Sequence, residues 1–136
     1  MWMSDFDVIV FNEHLGDNIG DINTPFPFRG DLSSEKTFFI PYEPRGSGYL
    51  TMQVYDVQYQ NHKVFLNNSS FLCGYGTHEF MNKTGRNRWR VTMQKLNHTS
   101  LKMGDNTIQI QRASGSDNIL IGTIVVNWRS KCPWGP

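Results

Sequence analysis

Residues 50–54 are Leu-Thr-Met-Gln-Val, in which apolar and polar side chains alternate with a period of two. Because successive side chains of a strand point to opposite faces, this pattern predicts a β-strand with one buried and one wet face. No segment of ten or more residues repeats its apolar positions at the three- and four-residue spacing of a capped helix. The chain is therefore predicted to be all-β.

The same alternation recurs at Trp89, Val91 and Met93, and a long apolar, β-branched run ends at Trp128. Both tryptophans continue an apolar alternation, so we expect Trp89 and Trp128 to lie in the core. One helical turn fits the pattern near residues 96–101. The other predicted strands are residues 6–11, 37–40, 63–66, 77–80, 107–111 and 119–128.

Clusters of Gly, Pro, Asn, Asp and Ser separate these strands, as at residues 44–48 and 114–117. About eight short strands at this spacing predict a two-sheet antiparallel β-sandwich, a jelly roll, formed by residues 1–136 as a single domain. Residues 12–35 are rich in Gly, Asp and Asn, have few apolar anchors, and are predicted to form one long loop. So long a loop either has a function or ties down an edge of the sandwich.

The charge balance excludes several classes of partner. The 136 residues include 13 Lys and Arg against 12 Asp and Glu, a formal net charge of +1. Without a strong positive field, we expect no binding to nucleic acid or to an anionic membrane surface. No stretch approaches the roughly 18 to 20 apolar residues that span a bilayer. The N-terminus lacks the basic region of a secretory leader, so we expect either a cytoplasmic protein or an already mature secreted chain.

The two cysteines, Cys73 and Cys132, are far apart in sequence and match no metal-binding spacing. Without an export signal, two separate thiols are the expectation, and a disulfide between them is the alternative. Four glycosylation sequons mainly mark polar loops. They begin at Asn67, Asn68, Asn82 and Asn97.

Two motifs resemble the galactose-binding-like jelly-roll superfamily, which includes β-sandwiches of the carbohydrate-binding-module type. Residues 49–57, Tyr-Leu-Thr-Met-Gln-Val-Tyr-Asp-Val, followed by residues 62–68, are similar to its central hairpin, whose second strand ends in an Asn that opens a turn. Residues 101–110, Leu-Lys-Met-Gly-Asp-Asn-Thr-Ile-Gln-Ile, are similar to its Leu-x-x-Gly-x-Asn-x-Ile-x-Ile element. In that element Gly104 permits a positive φ, and Asn106 bonds its own turn.

Residues 117–128 resemble the closing strand of that superfamily. The resemblance thus covers about residues 48–128 and implies the fold more directly than the ligand. Many such domains bind carbohydrates, some of them with a structural calcium ion, and others only mediate contacts. Sugar binding requires flat aromatic faces beside planar hydrogen-bonding groups. Conspicuous side chains in predicted loops serve binding more often than packing. The predicted ligand-binding residues, on loops at one end of the sandwich, are Tyr75, His78, Arg86 and Arg88.

Metal binding and covalent catalysis have no matching motif. The four histidines show no metal-ligand spacing, and no nucleophile elbow is present. Calcium needs several oxygen ligands, and no loop contains the alternating Asp/Asn array of a self-sufficient site. We therefore expect no cofactor and turn-forming roles for the acidic residues, with a structural calcium ion as the alternative. The candidate calcium ligands are Asp17, Asp21, Asp31, Asp105 and Asp117.

Three functions follow, in order of preference. The first is a non-catalytic module that binds a carbohydrate or glycoprotein. The second is a structural or interaction subunit of a homo-oligomeric assembly, which pairs through edge strands or the long N-terminal loop. The third is a polysaccharide-active enzyme, in which Asp56, Glu79 and Asp117 converge across loops as paired carboxylates.

Overall fold

The computed structural model describes residues 2–58, 62–67, 77–79, 87–113 and 118–131, with the backbone alone for 77–79. Within these ranges the chain forms nine strands and a 3₁₀ turn at His98–Ser100, where the sequence predicts a helical turn. No helix there is long and apolar enough to cross a bilayer. The strands are β1 (Trp2–Leu15), β2 (Phe28–Gly30), β3 (Lys36–Ile40), β4 (Ser47–Tyr55), β5 (Lys63–Leu66), β6 (Thr77–Glu79), β7 (Trp89–Asn97), β8 (Gly104–Gln111) and β9 (Ile119–Lys131).

The strands form two sheets. One has the order β2-β1-β9-β4-β7, and the other has the order β3-β8-β5-β6. The strand pairs are antiparallel, except that β1 and the short β2 pair in parallel through two residue pairs. The rings of Phe38 on β3 and Trp128 on β9, with centroids 6.3 Å apart, join the two sheets. The predicted all-β, jelly-roll type of sandwich is confirmed.

The core lies between the sheets and is made of alternate side chains. Leu50, Met52 and Val54 of β4 are at most 2% exposed, as the period-two pattern predicts. Ile108 and Ile110 of β8 are fully buried opposite them on the other sheet. Burial of a side chain of this size contributes about 1.5–3 kcal/mol, so this interdigitated layer supplies most of the stability.

The predicted loop over residues 12–35 is shorter in the structure, because β1 continues to Leu15 and β2 follows at Phe28–Gly30. Glu13 and His14, which look like loop residues in the sequence, are buried. The Glu13 carboxylate accepts hydrogen bonds from the backbone N–H and the hydroxyl of Ser34. The N–H of His14 donates to the Pro27 carbonyl at 2.8 Å. These partners satisfy the polar groups and let the strand extend.

The turn before β8 has the geometry that its sequence predicts. Gly104 has a φ of 96°. The fully buried Asn106 accepts from the Lys102 N–H at 3.0 Å and donates to the Lys102 carbonyl at 2.8 Å. Its Oδ1 also accepts from the Asn67 amide at 3.0 Å, and Asn67 Oδ1 accepts from the Thr107 N–H at 2.9 Å. The buried Asn106 and the half-buried Asn67 therefore tie the ends of β5 and β8 together.

One edge of β1 has no strand partner over most of its length within the described residues, because β2 reaches only His14 and Leu15. An open edge with free N–H groups is a template for pairing with another chain. Here the N–H groups of Phe6 and Val8 donate to the carboxylates of Asp5 and Asp7, at 2.8 Å and 2.9 Å. Two acidic side chains thus occupy donors that an incoming strand would need.

Replacement of Asp5 and Asp7 with Ala together is expected to increase self-association, because the two edge donors become free and two negative charges are lost. Sedimentation velocity at several protein concentrations would measure this as a higher average mass. The control is a Glu35→Ala, Asp105→Ala double variant, which removes two exposed carboxylates elsewhere. Equal association of both double variants would contradict the edge-protection role.

Candidate functional site

The predicted loop site falls mostly outside the described residues. Tyr75 and Arg86 lie outside them, and so do the two cysteines, Cys73 and Cys132. His78 is described by its backbone alone, in β6 opposite Val64. Arg88 is exposed just before β7, and its carbonyl accepts from the N–H of Asp56 at 3.1 Å. The four-residue site therefore stays a prediction.

Trp89 differs from its predicted place in the core. Its side chain is 48% exposed, whereas Trp128 is 3% exposed and lies in the core as expected. On β7 the apolar residues of the alternation point outward, with Val91 at 66% and Met93 at 60% exposure. The polar residue Thr92 between them is buried, and its hydroxyl has no hydrogen-bond partner within the described residues. The strand is where the sequence predicts it, but its faces are reversed.

The reversal on β7 is part of a larger apolar surface. The outer face of the five-stranded sheet, defined as the face turned away from the core, exposes large side chains on three strands. Residues paired across neighbouring strands share a face, so Met93 is in one row with Thr51, Val125 and Val8. The exposed large side chains of this face are Trp2, Phe6, Val8, Val10, Tyr49, Trp89, Val91 and Met93.

A cleft of about 380 Å³ surrounds Trp89 at one end of this face, and we call it the Trp89 cleft. The Trp89 ring has its centroid 5.3 Å from that of Tyr55 and 6.3 Å from that of Phe26. A side chain at Gly122 would begin 3.0 Å from Oε1 and 3.2 Å from Cβ of Gln53, so glycine leaves room for the Gln53 side chain over β9. The lining residues are Asn12, Phe26, Gln53, Trp89, Arg90, Val91 and Gly122.

Hydrogen bonds beneath the cleft fix the start of β7. The buried Asp56 carboxylate accepts from the N–H of Asn87 at 2.9 Å. Both residues are in the left-handed region, with φ of 60° and 56°, which Asp and Asn tolerate better than most residues. The Gln53 side-chain oxygen accepts from the Thr123 N–H at 3.2 Å, which orients its amide at the cleft. Trp89 is thus held between an ordered turn and an ordered amide.

A second cleft, of about 580 Å³, lies at the other end of the same face, and we call it the Tyr49 cleft. Tyr49 is 44% exposed and pairs with Lys95 on one side and Asn127 on the other. In the described part of the chain, neither Lys95 nor Arg129 has a carboxylate at ion-pair distance. The lining residues are Ser4, Ser47, Gly48, Tyr49, Met93, Lys95, Asn127, Trp128 and Arg129.

A buried polar network lies near the start of β9, at the end of the row of paired residues that runs from Trp89 through Tyr55 and Leu120 to His14. Nε2 of His14 is 3.2 Å from Oδ1 of Asn118, whose amide donates to Asp17 at 3.1 Å. The buried Arg112 guanidinium contacts the carboxylates of Asp17 and Asp31. Two candidate calcium ligands are therefore ion-paired with Arg112. No group of three His, Cys, Asp or Glu side chains in the described ranges could hold a metal ion.

The carboxylates of the enzyme hypothesis are only partly described. Asp56 is buried and is hydrogen-bonded to the turn at Asn87. The side chain of Glu79 and all of Asp117 lie outside the described residues. Their convergence with Asp56 stays a prediction.

Residues 3–130 match the model of a family described as "Family of unknown function (DUF7383)". No curated protein matches the sequence. Among solved structures, the chain is similar to a CBM35 module from Cellvibrio japonicus Abf62, with 16% identity, a TM-score of 0.48, and coverage of 93% of this chain and 99% of that one.

Two further structures are similar. A family 35 carbohydrate binding module from Clostridium thermocellum has 15% identity and a TM-score of 0.45, with coverage of 91% of this chain and 97% of that one. An isomalto-dextranase from Arthrobacter globiformis T6, complexed with panose, has 16% identity and a TM-score of 0.47. That match covers 70% of this chain, which spans only 16% of the length of the isomalto-dextranase. Carbohydrate-binding modules are thus among the structures that this chain resembles, as its sequence motifs predict.

The buried His14 gives a prediction about pH. Burial lowers the pKa of His14 below its ordinary value of 6.5, while the hydrogen bond to Asn118 and the charge of Asp21 act in the opposite direction. Below about pH 6.5 the unfolded chain therefore binds a proton at His14 that the folded chain resists. Stability from this residue is present at neutral pH and is lost as the pH falls through the folded-state pKa.

His14→Gln is accordingly expected to reduce the fall in the free energy of unfolding between about pH 7.5 and about pH 5.5. Urea unfolding at both pH values would measure the difference. His98→Gln, which removes an exposed histidine, serves as the control. The same pH dependence in the His14 and His98 variants would contradict the assignment.

Proposed function

The chain belongs to the DUF7383 family, and we propose that it is a non-catalytic module that binds carbohydrate at the Trp89 cleft of the outer sheet face. The observation that carries this proposal is the reversed alternation on β7. A strand that buries Thr92 and exposes Trp89, Val91 and Met93 loses free energy of folding relative to the opposite arrangement. Departures of this kind from local rules are expected at functional sites.

The chemistry of the Trp89 cleft suits a sugar. A pyranose ring offers an apolar C–H face, which stacks on an aromatic ring, and a rim of hydroxyl groups, which need planar donors and acceptors. Trp89, with Tyr55 and Phe26 beside it, provides the aromatic surface. The amides of Asn12 and Gln53 border that surface and can pair with hydroxyls in both directions.

Binding is favoured over hydrolysis by the composition of the two clefts. Glycosidic cleavage uses a pair of carboxyl groups beside the scissile bond. Among the described lining residues of the Trp89 cleft and the Tyr49 cleft, there is no Asp or Glu. The polar groups there are amides, hydroxyls and cations, which hold a ligand without a general acid or nucleophile.

The loop residues singled out from the sequence extend this proposal. Arg88 directly precedes Trp89 and is exposed, but it is not a lining residue of the Trp89 cleft, and we propose that it contributes to binding from the adjoining turn. Tyr75, His78 and Arg86 are proposed to contribute from the same end of the sandwich. Their side chains would bind a sugar by the same interactions as the cleft, because Tyr and His each combine a ring for stacking with a polar atom for hydrogen bonding.

A second candidate function is an interaction subunit of an oligomer. The exposed apolar side chains of Phe6 and Val8, next to the Tyr49 cleft, favour it, since contiguous apolar surface often marks a protein interface. Sedimentation equilibrium distinguishes the two functions. A defined oligomer with no glycan binding would favour the subunit, and a monomer that binds glycans would favour the module.

The substitution Trp89→Ala is expected to weaken glycan binding at least about tenfold, equivalent to about 1.4 kcal/mol, because the stacking surface is lost. A glycan array would identify ligands of the unsubstituted chain, and titration calorimetry would measure their affinities. Phe39→Ala is the matched control, since Phe39 is a 58% exposed aromatic on β3 of the other sheet. Trp89→Phe should retain part of the affinity.

Folding of each variant would be checked by its thermal unfolding midpoint. If a folded Trp89→Ala variant bound the glycan with unchanged affinity, the binding site would have to lie outside the Trp89 cleft. Absence of any glycan ligand for the unsubstituted chain would overturn the proposed function.

A further inference from the structure

The Trp89 cleft and the Tyr49 cleft adjoin each other along β7. Val91 lines the first and Met93 lines the second, and these are successive outward positions of one strand. Outward side chains of β7 therefore run without interruption from Trp89 through Val91 and Met93 to Lys95. The two clefts form the ends of a single track.

The track is long relative to one sugar ring. From Trp89 to Lys95 is six steps along an extended strand, which at about 3.3 Å per residue gives about 20 Å. A single pyranose in the Trp89 cleft would leave Met93 and Tyr49 uncovered. A ligand that uses the whole track must contain several rings.

Each end of the track pairs an aromatic side chain with polar groups, while its middle is apolar. Trp89 lies near Gln53 and Asn12 at one end, and Tyr49 lies near Lys95 and Asn127 at the other. Between them Val91 and Met93 present only apolar surface. This arrangement suits a ligand whose terminal sugar rings stack on Trp89 and Tyr49. The flat part of the ligand between these rings would rest on Val91 and Met93.

Resting on the proposed function, we infer that the ligand is an extended, unbranched polysaccharide chain that lies along β7 across both clefts. Pyranoses joined through equatorial bonds form a flat ribbon, and such a ribbon follows a nearly straight strand. A chain of α-linked rings curves away from the strand after it has covered one cleft. The chemical class is thus a β-linked, ribbon-like glycan and not a terminal sugar of a branched one.

A second copy of the chain is a poorer occupant of the same track. Lys95 and Arg129 are exposed at the Tyr49 cleft, and the described lining residues include no carboxylate. Two copies that docked symmetrically through this face would bring cations towards cations, which opposes association. A neutral glycan has no such conflict, and its hydroxyls accept hydrogen bonds from both cations.

Titration calorimetry with cellohexaose, mannohexaose and the corresponding disaccharides tests the inference. For at least one β-linked series, the hexasaccharide is expected to bind at least tenfold more tightly than the disaccharide. Tyr49→Ala should remove most of that gain and leave disaccharide affinity unchanged, whereas Trp89→Ala should weaken both. Phe39→Ala should change neither, and Tyr49→Phe should preserve the gain, which separates stacking from misfolding.

The outcomes separate the inference from the function on which it rests. Equal affinity for disaccharide and hexasaccharide, with both dependent on Trp89, would overturn the track and keep the binding module. Maltohexaose binding as tightly as the β-linked hexasaccharides would overturn the ribbon geometry. No binding of any saccharide would overturn the proposed function itself, and a dimer that Tyr49→Ala dissociates would then assign the face to a second copy.

Discussion

Hydrogen-bonded register between β9, β4 and β7 is the constraint on which the rest of the molecule depends. Leu50, Met52 and Val54 of β4 must point inward, because they form the core with the opposite sheet. Paired residues share a face, and Met52 pairs with Thr92 while Thr51 pairs with Met93. Thr92 is therefore drawn inward and Met93 is pushed outward, whatever their own hydropathy. A shift of β7 by one residue would bury its apolar side chains but would also change its hydrogen-bond pairing with β4.

This arrangement has an energetic consequence. The hydroxyl of Thr92 and the side-chain oxygen of Gln94 are buried without hydrogen-bond partners in the described part of the chain, and each such group costs about 1–3 kcal/mol. Trp89, Val91 and Met93 meanwhile expose apolar surface that burial would have stabilised. The fully buried aliphatic layer of β4, β8 and β9 offsets these costs. Strand β7 is held in place by the stability of its neighbours, so its outward side chains need not contribute to the core and are available for a ligand.

The sequence predicts where the strands lie because a period of two is a local property. It does not predict which face of a strand is buried, because that depends on pairing between residues that are far apart in the chain. Trp128 and Trp89 illustrate the difference: both continue an apolar alternation, yet one is in the core and the other on the surface. Glu13 and His14 show a second property that the sequence does not predict. Their burial depends on hydrogen-bond partners distant in the chain, Ser34 and Asn118, which no local pattern reveals. The Gly104 and Asn106 turn was predictable, because its hydrogen bonds are local.

The open edge of β1 and the outer face of the five-stranded sheet differ in how they are protected. Along the open edge of β1, Asp5 and Asp7 occupy the N–H groups of neighbouring residues and so oppose pairing with another strand. On the outer face, the described residues around the Trp89 and Tyr49 clefts include no comparable acidic protection, and aromatic and aliphatic side chains remain exposed. If the exposed apolar face only reflected incomplete burial, the edge of β1 and the outer face would both lack protection. Protection of the edge together with exposure of the face opposes strand pairing and leaves the face open to contact. The proposed glycan would use the face and leave the edge free.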